Sequence, residues 1–182
     1  MITVHHLNNS RSQRILWLLE ELGLPYEIKR YQRDPKTNLA PPELKAINPL
    51  GKSPVIEDGG LVLIESAAII DYLIRRHGQG RLQPDPASAT YDHYVQWLHF
   101  AEGSAMLPIL LDHFQAAGMA GPPGESPLAS MAKDGMAQLY TYIESVLAEH
   151  AWFAGDRFTA ADVMMGWVVE VVQNRGEIDP YP

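Results

Sequence analysis

The chain has 182 residues, 46% of them apolar and 20% charged, enough for one or two folded cores and too hydrophobic for a disordered segment. Its net charge of −8 gives no general attraction to nucleic acid or to an anionic membrane, so neither is an expected partner. The absence of cysteine excludes disulfides, zinc–thiolate sites and a cysteine nucleophile, and fits a reducing cytoplasm.

Met1 to His6 lacks the basic and long apolar segments of a signal peptide. Ile2 to His6 reads as a strand. Ser12 to Leu22 reads as a helix, because Ile15, Leu16, Leu18, Leu19 and Leu22 share one side and Gly23 follows at the C′ position. Tyr26, Ile28 and Arg30 alternate with Glu27 and Lys29, as in a second strand. A helix between two strands makes a βαβ unit, so the pair is predicted parallel. The polar, proline-containing stretch from Gln32 to Pro49 has room for one short helix. Val55–Glu57 and Leu61–Ile64 flank Asp58-Gly59-Gly60, a hairpin signature. Glu65-Ser66 opens a helix carrying Ile69, Ile70, Leu73 and Ile74 and closed by His77-Gly78. The expected order is β-α-β-α-β-β-α over residues 1–78, with a mixed four-stranded sheet.

Residues 79–87, rich in Gly and Pro, read as an interdomain linker, and residues 88–182 as an all-helical domain. Ser88 to about Ala117 is predicted helical, with Tyr91, Tyr94, Val95, Leu98 and Ala101 on its buried face and a kink or break at Pro108. Gly118 to Pro127 reads as a loop. Leu128, Met131, Gly135, Leu139, Tyr142 and Val146 form the apolar stripe of the next helix. Thr159-Ala160-Ala161-Asp162 is a capping box, and the segment from Val163 to Val172, apolar nearly all round, is expected at the centre of a bundle. That segment contains Gly166 and Glu170, and no apolar run reaches the length of a membrane span. Tyr91, Tyr94, Trp97 and Phe100 read as core or subunit interface, and Trp152, Phe153 and Trp167 as core.

Two segments carry chemistry. Pro54 directly precedes a short core strand, where it marks a turn. A cis Ser53-Pro54 peptide would turn the Ser53 backbone outward for an extended peptide to pair with, and a trans proline opening a strand is the alternative. Glu65-Ser66 lies where a strand meets a helix. Free N–H groups and the Ser66 hydroxyl make an anion site, and the Glu65 carboxylate suits an ammonium. Together they fit a zwitterionic α-amino-acid head, against a plain N-cap. The seven histidines form no metal constellation: His5 and His6 point to opposite faces of a strand, and His93 and His99 are six apart. No metal is expected.

Asn48-Pro49-Leu50-Gly51-Lys52-Ser53-Pro54-Val55, followed by Glu65-Ser66-Ala67-Ala68-Ile69-Ile70-Asp71-Tyr72-Leu73, resembles the soluble glutathione S-transferase superfamily. Ser10-x-x-x-Arg14, Leu19-Glu20-Glu21-Leu22-Gly23 and Phe158-Thr159-x-Ala161-Asp162 extend that resemblance along the chain. It implies a thioredoxin-like N-terminal domain, an all-helical C-terminal domain, a cis Pro54, and glutathione as cosubstrate held by Lys52, Ser53, Pro54, Glu65 and Ser66. It also implies a homodimer that transfers glutathione to a hydrophobic electrophile, in detoxification, or reduces organic hydroperoxides. A non-catalytic glutathione-binding or regulatory protein is the alternative.

Ser53 stands where the family usually has Val or Ile, a change tolerable if the role there belongs to the backbone. Family members continue past the Asp162 helix, whereas this chain stops at Tyr181-Pro182. The expectation is either a shortened chain or a missing part of the electrophile pocket. Members activate the thiol with Ser, Tyr or Cys at the start of the first helix. Without Cys, and without Tyr near position 10, the resemblance implies the serine type, theta-like or bacterial and fungal. Ser10 then donates a hydrogen bond to the sulfur, beside a helix N-terminus that favours negative charge. A capping box over Ser10–Gln13 is the alternative role for Ser10. Ser12 is the next candidate for the thiol, and Asn8 and Asn9 are further possible donors.

Overall fold

The computed structural model describes residues 1–118 and 127–176. The chain divides into two compact units, Met1–Pro84 and Asp85–Pro182.

The first unit runs β1 (Ile2–Leu7), α1 (Ser12–Leu22), β2 (Tyr26–Tyr31), α2 (Pro42–Lys45), β3 (Val55–Asp58), β4 (Leu61–Ile64) and α3 (Ser66–Arg76). The sheet order is β2-β1-β3-β4. β1 and β2 are parallel, as a crossover helix requires, and β3 pairs antiparallel with both β1 and β4. Gly59 and Gly60, at φ 55° and 89°, supply the positive φ that the two-residue turn needs. Alternation along β1 sends Leu7 to one face, where it packs with Tyr31, Ala40, Leu44 and Val55. Ile2, Val4 and Ile56 face the other way and are buried together with the apolar stripes of α1 and α3. This is the thioredoxin-like half of the expected fold.

The second unit carries α4 (Ala89–Phe100), a π-helical turn (Ala101–Ala105), α5 (Met106–Ala116), α6 (Pro127–Leu147) and α7 (Ala160–Asn174). The kink or break expected at Pro108 falls earlier, at the π turn, and Pro108 itself lies within α5. The proline ring lacks an N–H and conflicts with the carbonyl four residues back, at Ser104. Ser104 lies within the π turn, so the irregularity sits one turn before the proline.

Two helix faces differ from expectation. On α4 the buried face holds Tyr94, Trp97 and Leu98, with Tyr91 and Val95 only half-buried. The large Trp97 ring, packed against Phe100, Tyr142 and Phe153, sets that orientation. On α6 the buried residues are Ala132, Met136 and Leu139, while Leu128, Met131 and Tyr142 are exposed. Met131, Gly135, Leu139 and Tyr142, with Leu107 and Pro108 of α5, line an open cleft of about 350 Å³. Four of the six residues of the predicted stripe thus border this cleft, Leu139 at its buried edge.

Trp152, expected in the core, is exposed: it sits in a tight turn that bridges to Gly155, with its ring edge-on to Phe158. Phe153 is buried and Trp167 half-buried. The capping box at Thr159 forms as predicted. Asp162 Oδ2 accepts from Thr159 N at 2.7 Å and Oδ1 from Phe153 N at 2.8 Å. Between its end residues, the loop expected over Gly118–Pro127 lies outside the described residues, as does the Tyr181-Pro182 end. Among the described residues, no helix is long and apolar enough to cross a membrane.

Candidate functional site

Register brings the chemistry-bearing segments of the first unit to one end of the sheet. His5 of β1 pairs with Val55 of β3, and Val55 pairs with Ile64 of β4. Ser53-Pro54 immediately precedes Val55, and Glu65-Ser66 immediately follows Ile64. Ser10 and Ser12 follow the C-terminal end of β1, two and four residues after Asn8, whose N–H closes on Tyr31 O.

The Ser53-Pro54 peptide is cis. The loop before it is fixed by Asn48, which is buried and donates from Nδ2 to Lys52 O at 2.9 Å. Gly51 has φ 62°, and a Cβ there would lie 3.2 Å from the Lys45 side chain, so the position favours glycine. The Lys52 side chain is exposed. Ser53 does more than lend its backbone: its Oγ donates to His5 O at 2.8 Å, tying the loop to β1. No periodic signal announces that bond, since it joins residues 48 positions apart.

Glu65 is exposed and holds φ 72° and ψ 119°, a conformation rare for any residue but glycine. Its carbonyl accepts the first α3 bond, from Ile69 N. Ser66, buried, is the first residue of the helix. A carboxylate at a strand end therefore stands beside a helix N-terminus, a pairing of opposite electrostatic demands suited to a zwitterion.

At the other side of the site, Ser10 is 5% exposed, and its hydroxyl donates to Leu7 O at 2.7 Å. Ser10 Oγ also lies 2.8 Å from Ser12 Oγ, which is 2.8 Å from His6 Nδ1. The capping box over Ser10–Gln13 is not formed: Arg11 occupies the N-cap position and makes no side-chain cap bond. The Ser10 hydroxyl is already engaged at Leu7 O, and the backbone donor it meets, at 3.4 Å, is Ser12 N. Asn9 is exposed at φ 49°, and its carbonyl accepts from Arg33 Nη2 at 3.2 Å. Arg33 also donates from Nε to Asn8 O and from its backbone N–H to Asn8 Oδ1, so one residue of the β2–α2 connection clamps the loop leading to Ser10. No local sequence pattern marks Arg33 or His6 for the site, since their contacts join residues 25 and 6 positions apart.

His5, on the opposite sheet face from His6, is buried between Tyr31 OH and Glu57. Burial lowers its pKa, with Glu57 opposing. Burial, reinforced by Arg30, likewise lowers that of His6. Among the described residues, no group of three His, Asp or Glu could hold a metal ion.

Residues 1–75 match the family described as the glutathione S-transferase N-terminal domain, and residues 101–178 its C-terminal domain. The chain belongs to the glutathione S-transferase family. Glutathione S-transferase 3 of Schizosaccharomyces pombe is 38% identical over 183 residues, spanning 95% of this chain and 75% of that protein. A crystal structure of a glutathione S-transferase from Actinobacillus pleuropneumoniae superposes with TM-score 0.82 at 34% identity, over 100% of this chain and 85% of the other. A glutathione transferase family member from Pseudomonas fluorescens, described with two glutathione bound, gives TM-score 0.81 at 27% identity, over 100% and 83%.

Proposed function

We propose that this chain binds glutathione along the sheet end described above, with its γ-glutamyl head at Glu65-Ser66 and its cysteinyl backbone along Ser53. The activity is that of the family, glutathione transfer, and glutathione is the cosubstrate. The observation that carries the binding mode is the row His5–Val55–Ile64, which sets Ser53-Pro54 beside Glu65-Ser66 on adjacent strands. Lys52 contributes positive charge next to Ser53.

A free thiol with a pKa of about 8.5 is only a few per cent thiolate near neutral pH, so the site has to stabilise the thiolate. Ser10 is proposed as the donor, making this a serine-type member, with Ser12 and Asn9 as the next candidates. For Ser10 to serve the sulfur, its hydroxyl turns from Leu7 O toward the ligand, a rotation about one bond. The proposed acceptor is a hydrophobic electrophile, with organic hydroperoxides as further substrates. The remaining proposals follow the family pattern: a glutathione-binding domain over 1–78, a linker over 79–87, a helical domain over 88–182, a homodimer, and a cytoplasmic location.

The test combines calorimetric titration with glutathione and turnover of an aryl halide and a hydroperoxide, on the native chain and on Ser10→Ala. Glutathione binding with turnover that falls about ten- to a hundredfold in Ser10→Ala supports the reading. Turnover and bound-thiol pKa that survive the substitution move the role to Ser12 or Asn9. Binding with no turnover of either substrate points to a non-catalytic member.

A further inference from the structure

The hydroxyls at the start of α1 form a chain in which proton counting fixes the direction. A carbonyl only accepts, so at 2.7 Å from Leu7 O it is Ser10 that donates. Ser10 has one proton, so its 2.8 Å contact with Ser12 Oγ is a bond that Ser12 donates. The Ser12 proton is then spent as well, and across the 2.8 Å contact with His6 the donor is Nδ1–H. His6 therefore carries a proton on Nδ1 in either charge state. Its lowered pKa, from burial and then from Arg30, makes the neutral Nδ1–H tautomer the form present near neutral pH. Each of the two hydroxyls accepts from one neighbour and donates to the next: Ser12 from His6 to Ser10, and Ser10 from Ser12 to Leu7 O. A hydroxyl that accepts a hydrogen bond becomes a stronger donor, and the effect accumulates in a low-dielectric setting.

We propose that His6 is a positioning residue for thiol activation: through Ser12 it orients and polarises the Ser10 hydroxyl as a donor to the glutathione sulfur. The inference rests on the assignment of Ser10 to the sulfur. When the sulfur docks, the Ser10 proton swings from Leu7 O to the sulfur, while His6 and Ser12 keep their directions. The thiol proton departs to solvent, and the chain itself transfers none. Without His6 the Ser12 hydroxyl loses the partner that makes it a donor toward Ser10. It is then free to reverse and accept the Ser10 proton, which withdraws that proton from the sulfur.

The tautomer makes the test specific. Asparagine at position 6 presents an amide nitrogen near the place of Nδ1, whereas glutamine reaches the place of Nε2. His6→Asn, His6→Gln, His6→Leu and Ser12→Ala are compared with the native chain for four quantities. These are the pKa of bound glutathione from thiolate ultraviolet absorbance, glutathione affinity by calorimetry, and kcat and KM with an aryl halide. His6→Asn is expected within about twofold of native, while His6→Gln, His6→Leu and Ser12→Ala lose about three- to tenfold in kcat with a raised thiol pKa and unchanged affinity. In a Ser10→Ala background the His6→Leu effect disappears. Native thiol pKa and turnover in both His6→Leu and Ser12→Ala, alongside a damaged Ser10→Ala, overturn this inference and leave the Ser10 assignment standing. A His6→Asn loss equal to that of His6→Leu, or a His6→Leu effect undiminished without Ser10, also overturns it. An unaltered thiol pKa in Ser10→Ala overturns the Ser10 assignment, and this inference with it.

Discussion

Replacing Asp162 by alanine removes one carboxylate from under three donors. Phe153 N at 2.8 Å and Thr159 N at 2.7 Å are backbone groups, and Thr159 Oγ1 adds a contact at 3.1 Å. Asp162 is 5% exposed, so both N–H groups lose their acceptor in a buried setting. An unsatisfied buried donor costs about 1–3 kcal/mol. With both donors affected and the surrounding turn able to relax in part, the sum is about 2–4 kcal/mol. That exceeds the roughly 1 kcal/mol of an ordinary exposed cap, because here the cap residue also fixes the turn before it. For a chain of this length each kcal/mol moves Tm by about 2–4 °C, so a loss of about 4–16 °C is expected. Differential scanning calorimetry measures it, and a glutathione titration well below the transition accompanies it. Affinity should be unchanged, since the carboxylate's hydrogen-bond partners, Phe153 and Thr159, belong with it to the helical unit. Asp162→Asn keeps one acceptor oxygen and should fall between the two. A shift below about 2 °C, or lost glutathione binding with an unchanged transition, would falsify the assignment of Asp162 to structure alone.

Glu65→Ala should weaken glutathione binding by about 2–4 kcal/mol in a calorimetric titration, the amount expected when an ammonium loses its carboxylate on complex formation; unaltered affinity excludes Glu65 as the partner. Ser53→Ala should cost about 1 kcal/mol in chemical denaturation by cutting the bond to His5 O, yet leave glutathione affinity within about twofold, because the ligand pairing proposed there uses the backbone. Acidification should destabilise the fold below the ordinary histidine value of 6.5. His5 and His6 have lowered folded pKa values, so the unfolded chain binds protons first and stability falls from about pH 6.5 toward the folded pKa, then levels off. Urea midpoints at several pH values measure this, His5→Gln should flatten the profile, and a midpoint that rises on acidification over that window contradicts it.

Local signals made much of the first unit legible. The α1 stripe, the glycine after it and the Asp58-Gly59-Gly60 turn each report on residues within a few positions of themselves, and the Thr159–Asp162 box is likewise a four-residue pattern. The cis form of the Ser53-Pro54 bond came from family likeness, since X-Pro statistics favour trans. What stayed hidden depends on contacts between distant residues. The bond from Ser53 Oγ to β1, the Arg33 clamp on Asn8 and Asn9, and the contact of His6 with Ser12 all arise only once the strands are in register. The α6 stripe shows a different limit: helical spacing reports that residues share a face, and it does not say whether that face meets a neighbour or an open cleft.

On the proposed binding mode, the backbone at Glu65 sets folding and ligand capture against each other. A residue with a side chain held at φ 72° and ψ 119° costs about 1–3 kcal/mol, and the folded chain carries that burden whether or not glutathione is present. Glycine would adopt the same conformation without it, but would remove the carboxylate. A variant library screened for heat resistance alone would therefore enrich glycine at position 65 and drift away from glutathione recognition, so thermostabilisation of this chain calls for a binding screen run in parallel.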